Sequence, residues 1–220
     1  IPSKRPTPCE LTIEREGPRY MTIDTPPGEG ETTEFVLPKP RTAGSALADL
    51  LRRRRSVRSF SERAIDAQTL ADLLWCAFGR STLDGYRTAP SARNWREIDI
   101  YAALKQGLFR FDPHTESLKQ LSRDGIRSRT GQQDYVASAP VNLVYVADFE
   151  KMGGASPQQR ELYAAADAGV ICQNVYLFCT EHGLGTVVRG LIDRNELARV
   201  MRLRPNQQIM LAQSIGFAAI

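Results

Sequence analysis

The sequence predicts a layered domain of α+β or α/β class, and three observations carry that expectation. The run PVNLVYVADF, residues 140–149, is continuously apolar and β-rich, as in a central strand buried on both faces. Just before it, EIDIYAAL and GLFRFD read as a hairpin whose short loop holds Lys105, Gln106 and Gly107. Beyond it, residues 158–182 draw as a long helix that is apolar nearly all round, which implies burial in a core or a subunit interface.

The remaining elements follow in chain order. Residues 1–44 are rich in Pro, Gly and charge, and TPPGEGETTEFVLPKP has no sustained periodicity, so they read as an extended arm. The compact domain is expected over residues 45–220. It opens at SALADLLRRRRS, where Ser45 can cap a helix and Leu47, Leu50 and Leu51 recur at helical spacing. A second helix spans residues 66–78, with Asp66 as N-cap, an apolar face of Leu70, Leu73, Leu74, Ala77 and Phe78, and Gly79 as its stop. Gly183 ends the long helix. LGTVVRG then reads as a strand, DRNELARVM as a short helix capped by Asp193, and QQIMLAQSIGFA as a final strand.

Composition excludes several classes. Of 220 residues 42% are hydrophobic and 25% charged, which argues against disorder, and no apolar stretch is long and uninterrupted enough to predict membrane insertion. The net charge of +4 decides little, because an anionic small molecule needs only a local basic cluster. No helix-turn-helix, zinc finger or aromatic RNA-binding motif is present, so no nucleic-acid partner is expected. Cys9, Cys76, Cys172 and Cys179 lack CxxC spacing, so neither a metal site nor a disulfide framework is expected. The first residue is Ile1 rather than a methionine, and a cytoplasmic protein is the expectation. His114 and His182 complete no Ser-His-Asp or Cys-His arrangement, and His182 reads as a helix C-cap.

The most informative segment is RRRRSVRSF, residues 52–60. One reading is a solvated helix end whose arginines complement the helix dipole. Another makes Arg54, Ser56 and Arg58 a phosphate clamp, because alternate residues of an extended segment point the same way. Forked guanidinium donors and a hydroxyl suit a phosphate dianion. There is no GxxxxGK[ST] loop, nor a GxGxxG after a strand, so the usual nucleotide cradles are missing.

Four segments in order, LADLLWCAFG, GYRTAPSARNWREIDIY, GLFRFDP and AGVICQNVYLFCTEHGLGTVVRG, resemble the nitroreductase family of FMN enzymes over about residues 47–217. Within it the chain most resembles the branch containing the azoline dehydrogenases of ribosomal peptide maturation. The resemblance implies a three-layer α+β fold, a mostly antiparallel central sheet flanked by helices, and a homodimer with FMN at the subunit interface. It puts Arg54, Ser56 and Arg58, with Arg55 beside them, on the FMN phosphate and ribityl side. Pro90, Ser91, Ala92 and Asn94 would reach the flavin from the opposite subunit, and Gln132 or Gln133 would set a polar side chain against it. Val187, Val188, Arg189 and Gly190 match the turn beside the reactive ring edge, with the Arg189 and Gly190 backbone N–H groups near flavin N5 and O4. The implied activity is ping-pong hydride transfer from NADH or NADPH to an organic acceptor such as a nitroaromatic or quinone. Azoline dehydrogenation on a modified peptide, or non-catalytic flavin binding, are the alternatives. Two departures stand out. GFAAI follows the last strand where many relatives carry basic residues, and Arg189 stands where several have an acidic or apolar one, so an arginine beside the substrate would favour anionic or electron-rich acceptors.

Overall fold

The computed structural model describes residues 39–219, and the unit treated below is Thr42–Ile220. All but the last six residues of the expected arm lie outside the described part. Six strands form one sheet: β1 (Ile98–Leu104), β2 (Gly107–Asp112), β3 (Ser117–Ser122), β4 (Val141–Asp148), β5 (Gly185–Arg189) and β6 (Gln207–Gly216). Their order is β3-β2-β1-β4-β6-β5, with every neighbouring pair antiparallel. Helices α2 (Ala67–Phe78) and α3 (Pro157–Glu181) cover one face, and α4 (Arg194–Met201) covers the other. The architecture is the three-layer α+β fold that the resemblance implies.

Strand β4 explains why its sequence reads as one apolar run. Val141, Leu143 and Tyr145 face the core under α2 and α3, whereas Val144 and Val146 face the cluster of Ile126, Leu197 and Met201. Burying such a side chain contributes roughly 1.5–3 kcal/mol, so β4 anchors both layers at once. Tyr145 stays compatible with this core because its hydroxyl donates to Gln213 Oε1 at 2.7 Å.

Local signals set the helix ends. The Ser45 hydroxyl accepts from Ala48 N–H at the start of α1 (Ala46–Arg53), Asp66 caps α2 through Thr69 N–H, and Asp193 caps α4 through Glu196 N–H. Ser156 and Gln159 form a capping box on α3, whose far end closes with His182 Nδ1 3.0 Å from the Phe178 carbonyl. By length and composition α3 could cross a membrane, yet Ala168, Ile171, Cys172, Val175 and Cys179 are buried against the sheet. Its other side leaves Leu162, Ala165, Ala166, Gly169 and Val170 exposed, an apolar stripe at helical spacing. On α1, Leu47 and Leu51 likewise stay exposed, so the apolar face expected there finds no cover within the unit.

Two details differ from expectation. Gly107 belongs to β2 rather than to the loop: it pairs with Leu104 at φ 132°, and a Cβ there would lie 2.0 Å from the Ser122 carbonyl oxygen. The hairpin also continues into β3, an edge strand whose sequence SLKQLS is mostly exposed and carries no apolar alternation.

Candidate functional site

The basic segment leaves α1 and runs along β5. Val57 N–H donates to the Thr186 carbonyl at 2.9 Å, and the Val57 side chain covers Gly185, where a Cβ would come within 2.8 Å of it. This docking sorts the arginines by what already satisfies them. Arg52 bonds the Thr42 hydroxyl, Arg53 pairs with Asp49 at 2.8 Å, and Arg55 turns back to the carbonyls of Arg52 and Arg54, closing the helix end. Among the described residues Arg54 has only the Tyr176 ring beneath it, 5.1 Å away, and Arg58 has no side-chain partner. Two guanidiniums with free donors four residues apart repel each other, and an anion between them would relieve that repulsion.

Tyr176, buried on α3, organises this corner, although nothing in the sequence singled it out. Its hydroxyl accepts from Val188 N–H at 3.1 Å and lies 2.9 Å from Ser56 Oγ. Because the tyrosine oxygen already accepts, its own proton is free to go to Ser56, which leaves the exposed serine O–H as an outward donor. Arg54, Ser56 and Val188 thus converge on one side chain.

Arg189 departs from the sequence-based expectation. Its side chain is 3% exposed and turns into the fold, donating to the Thr130 carbonyl at 2.7 Å and to Asn142 Oδ1 at 3.0 Å. Burial pulls this guanidinium down to about 10. The charge expected beside the substrate is therefore directed inward. Gly131 makes room for it, since a Cβ there would lie 1.9 Å from Arg189 Nη1. Gln133 caps a short 3-10 turn, Asp134–Val136, and its Oε1 is buried without a partner, whereas Gln132 is exposed. A Cβ on Gly190 would meet nothing of the chain within 4 Å, so packing within this unit does not account for that glycine. Arg189→Met, which keeps the length but drops the donors, is expected to lower stability by about 1–3 kcal/mol, because the Thr130 carbonyl loses its partner. An unchanged urea midpoint would show the pairing to be dispensable.

The segment from Pro90 to Asn94 sits elsewhere. Ala92–Asn94 form a 3-10 turn, and Arg93, Asn94 and Arg96 all have φ near +50°. A pair of buried acids fastens the turn: Ala92 N–H donates to Asp167 Oδ2 at 2.8 Å, and Ser91 Oγ donates to Glu97 Oε2 at 3.1 Å. Glu97 lies close to the Asp167 carboxylate, and burial followed by that negative neighbour raises Glu97 to about 7. Asp167 precedes Tyr176 by nine positions on α3, roughly 14 Å along the axis. Within one chain, then, this turn and the Arg54–Ser56–Val188 corner are not brought together.

A model of the nitroreductase family matches residues 51–217, most of the chain. The chain belongs to the nitroreductase family. It is thereby a flavin-dependent oxidoreductase. This nitroreductase is 42% identical to a solved Ralstonia eutropha protein assigned to the nitroreductases, with a TM-score of 0.77, covering 84% of this chain and 89% of that one. A Methanocaldococcus jannaschii protein assigned likewise is 27% identical over 185 residues, 80% of this chain and 92% of its own. The E. coli microcin synthetase McbBCD complex, solved with truncated pro-MccB17 bound, shares the fold at TM-score 0.72 and 16% identity, covering 90% of this chain and 80% of that one. Unpaired Arg54 and Arg58 donors, an outward Ser56 hydroxyl and the uncrowded Gly190 are the donor set that a phosphate-bearing flavin calls for.

Proposed function

We propose that this nitroreductase binds FMN in a homodimer and moves hydride equivalents from NADH or NADPH to an organic acceptor, a nitroaromatic, quinone or similar, by a ping-pong scheme. The observation that carries this reading is the pair of unsatisfied guanidiniums, Arg54 and Arg58, beside the Ser56–Tyr176–Val188 corner. FMN supplies the reversible hydride chemistry when bound. The chain's part is to bind and orient. Arg54, Ser56 and Arg58 hold the phosphate, with Arg55 stiffening the segment. The Arg189 and Gly190 backbone N–H groups, fixed by the inward Arg189 anchor, are preorganised donors for the ring edge. Gln132 and Gln133 offer polar side chains on the neighbouring turn.

The dimer rests on α3. Leu162, Ala165, Ala166, Gly169 and Val170 form an exposed stripe of small and apolar residues, the composition a closely packed helix pair needs. A second copy on this stripe would give the site, which one chain leaves divided, a neighbour to complete it.

The test is whether purified protein is yellow and whether NADH or NADPH bleaches it without oxygen. Colourless protein that FMN cannot reconstitute overturns the reading. Yellow protein that neither nucleotide bleaches would support flavin binding without this turnover. Arg54→Ala and Arg58→Ala are each expected to weaken FMN binding about 10- to 100-fold, the worth of one charge-assisted hydrogen bond, while Arg52→Ala, already bonded to Thr42, changes it little. Equal losses at all three positions would return the segment to a solvated helix end. The likeness to the microcin synthetase complex across 90% of this chain favours a second reading, oxidation of an azoline ring in a modified peptide. Turnover of such a peptide without NAD(P)H distinguishes it.

A further inference from the structure

At the end of the sheet away from β5, a cavity of about 290 Å³ opens between β1, β2 and the segment that follows α2. Arg87, Arg96, Arg110 and Lys151 line it, together with Asp99, Asp112 and Asp148. Most of the acids are already neutralised. Lys151 pairs with Asp99 at 2.7 Å and Arg204 with Asp148, whereas Asp112 accepts from the backbone N–H of His114 and, among the described residues, has no Lys or Arg salt-bridge partner. Three arginines therefore face one uncompensated carboxylate.

Arg87 is the sharpest of these features. Its Nε and Nη1 are buried without a hydrogen-bond partner, and its guanidinium rests over the Phe78 ring, 5.3 Å from the centroid. A buried donor left unsatisfied costs about 1–3 kcal/mol. Burial, then the like charges of Arg96 and Arg80, draw Arg87 below the usual guanidinium range. Arg96 takes part from a left-handed backbone, φ 53°, a conformation that costs a non-glycine residue about 1 kcal/mol, and only its Nε is engaged, by Asn94 Oδ1 at 2.8 Å. An oxyanion in this half-buried cavity would offset the like charges and accept from their open donors.

We infer that the cavity lined by Arg87, Arg96 and Arg110 is a second anion site, separate from the Arg54–Arg58 corner, for the phosphate group of a small phosphomonoester. The volume lies near the low end for ligand cavities and suits a compact ligand. Phosphate is favoured over a carboxylate because three forked cations converge and a dianion matches their excess. Phe78 and Phe111 at the wall provide an apolar surface for an ester's organic part.

Calorimetry on the flavin-loaded protein, with the proposed FMN corner thereby filled, tests this using inorganic phosphate and phenyl phosphate as probes. Phenyl phosphate is expected to bind more tightly than inorganic phosphate, and Arg87→Gln and Arg110→Gln are each expected to weaken both about tenfold, with FMN content unchanged. Equal affinity of the two probes would overturn the ester assignment in favour of free phosphate. Absence of binding at millimolar concentration, or binding unaffected by either substitution, would overturn the site. Because the measurement reads phosphate rather than flavin, it can fail while the proposed FMN function stands; protein that proves free of FMN can still be titrated, with Arg58→Ala separating the two sites.

Discussion

Val170→Lys is expected to convert the protein from dimer to monomer and to strip it of FMN in the same step. Val170 lies on the exposed stripe of α3, 38% exposed, with Ala166 one turn before it and Gly169 next to it. In the proposed dimer this stripe meets its own copy, so each substitution is counted twice across the two-fold axis. An unpaired charge in a closed apolar contact costs about 3–5 kcal/mol, a factor of order 10²–10³ or more in the dissociation constant. The core is untouched, because Ile171 and Val175 point to the sheet, so helicity should be retained. Sedimentation at micromolar concentration reads the assembly, and flavin absorbance reads the site. A wild-type protein that is monomeric and still holds FMN would refute the shared site.

The second large effect is on pH dependence. Glu97 is fully buried beside the Asp167 carboxylate and stands raised from 4.5 to about 7. In the unfolded chain it titrates near the ordinary value of about 4.3. Between these values the folded state holds a proton that the unfolded state has released, so stability falls as pH rises from about 4.5 through about 7 and then levels. The loss attributable to this carboxyl is roughly 3 kcal/mol. Glu97→Gln keeps an acceptor for Ser91 and a donor for Asp167, and removes the titration. Urea unfolding of the two proteins from pH 5 to pH 9 should therefore diverge by about that amount, with the variant the more stable at the alkaline end. Parallel profiles would mean that burial beside Asp167 does not raise Glu97. Because Asp167 and Glu97 fasten Ala92 and Ser91, FMN retention should decline over the same range in the wild-type protein and not in the variant.

The sequence by itself determined the elements whose burial is written in their periodicity. α2 was readable from Asp66 to Gly79 because a cap, an apolar face and a stop coincide, and β4 because strands buried on both faces lose their alternation. That Arg54 and Ser56 share one side of the segment was also accessible, since alternation along an extended segment is a local property; both contact Tyr176. β3 was not, because an exposed edge strand such as SLKQLS has no apolar pattern and forms only against β2. Tyr176 was hidden for a different reason. An aromatic residue within an apolar helix looks like core, and its role depends on Ser56, 120 residues away in sequence, and on Val188. The direction of Arg189 depends on the register of β5 against β6, which sends its side chain to Thr130 and Asn142. Glu97 is raised only once folding has buried it beside Asp167, seventy positions away in sequence. Local pattern thus settled what each segment is, whereas long-range packing decided which polar groups it leaves satisfied and which it leaves open to a ligand.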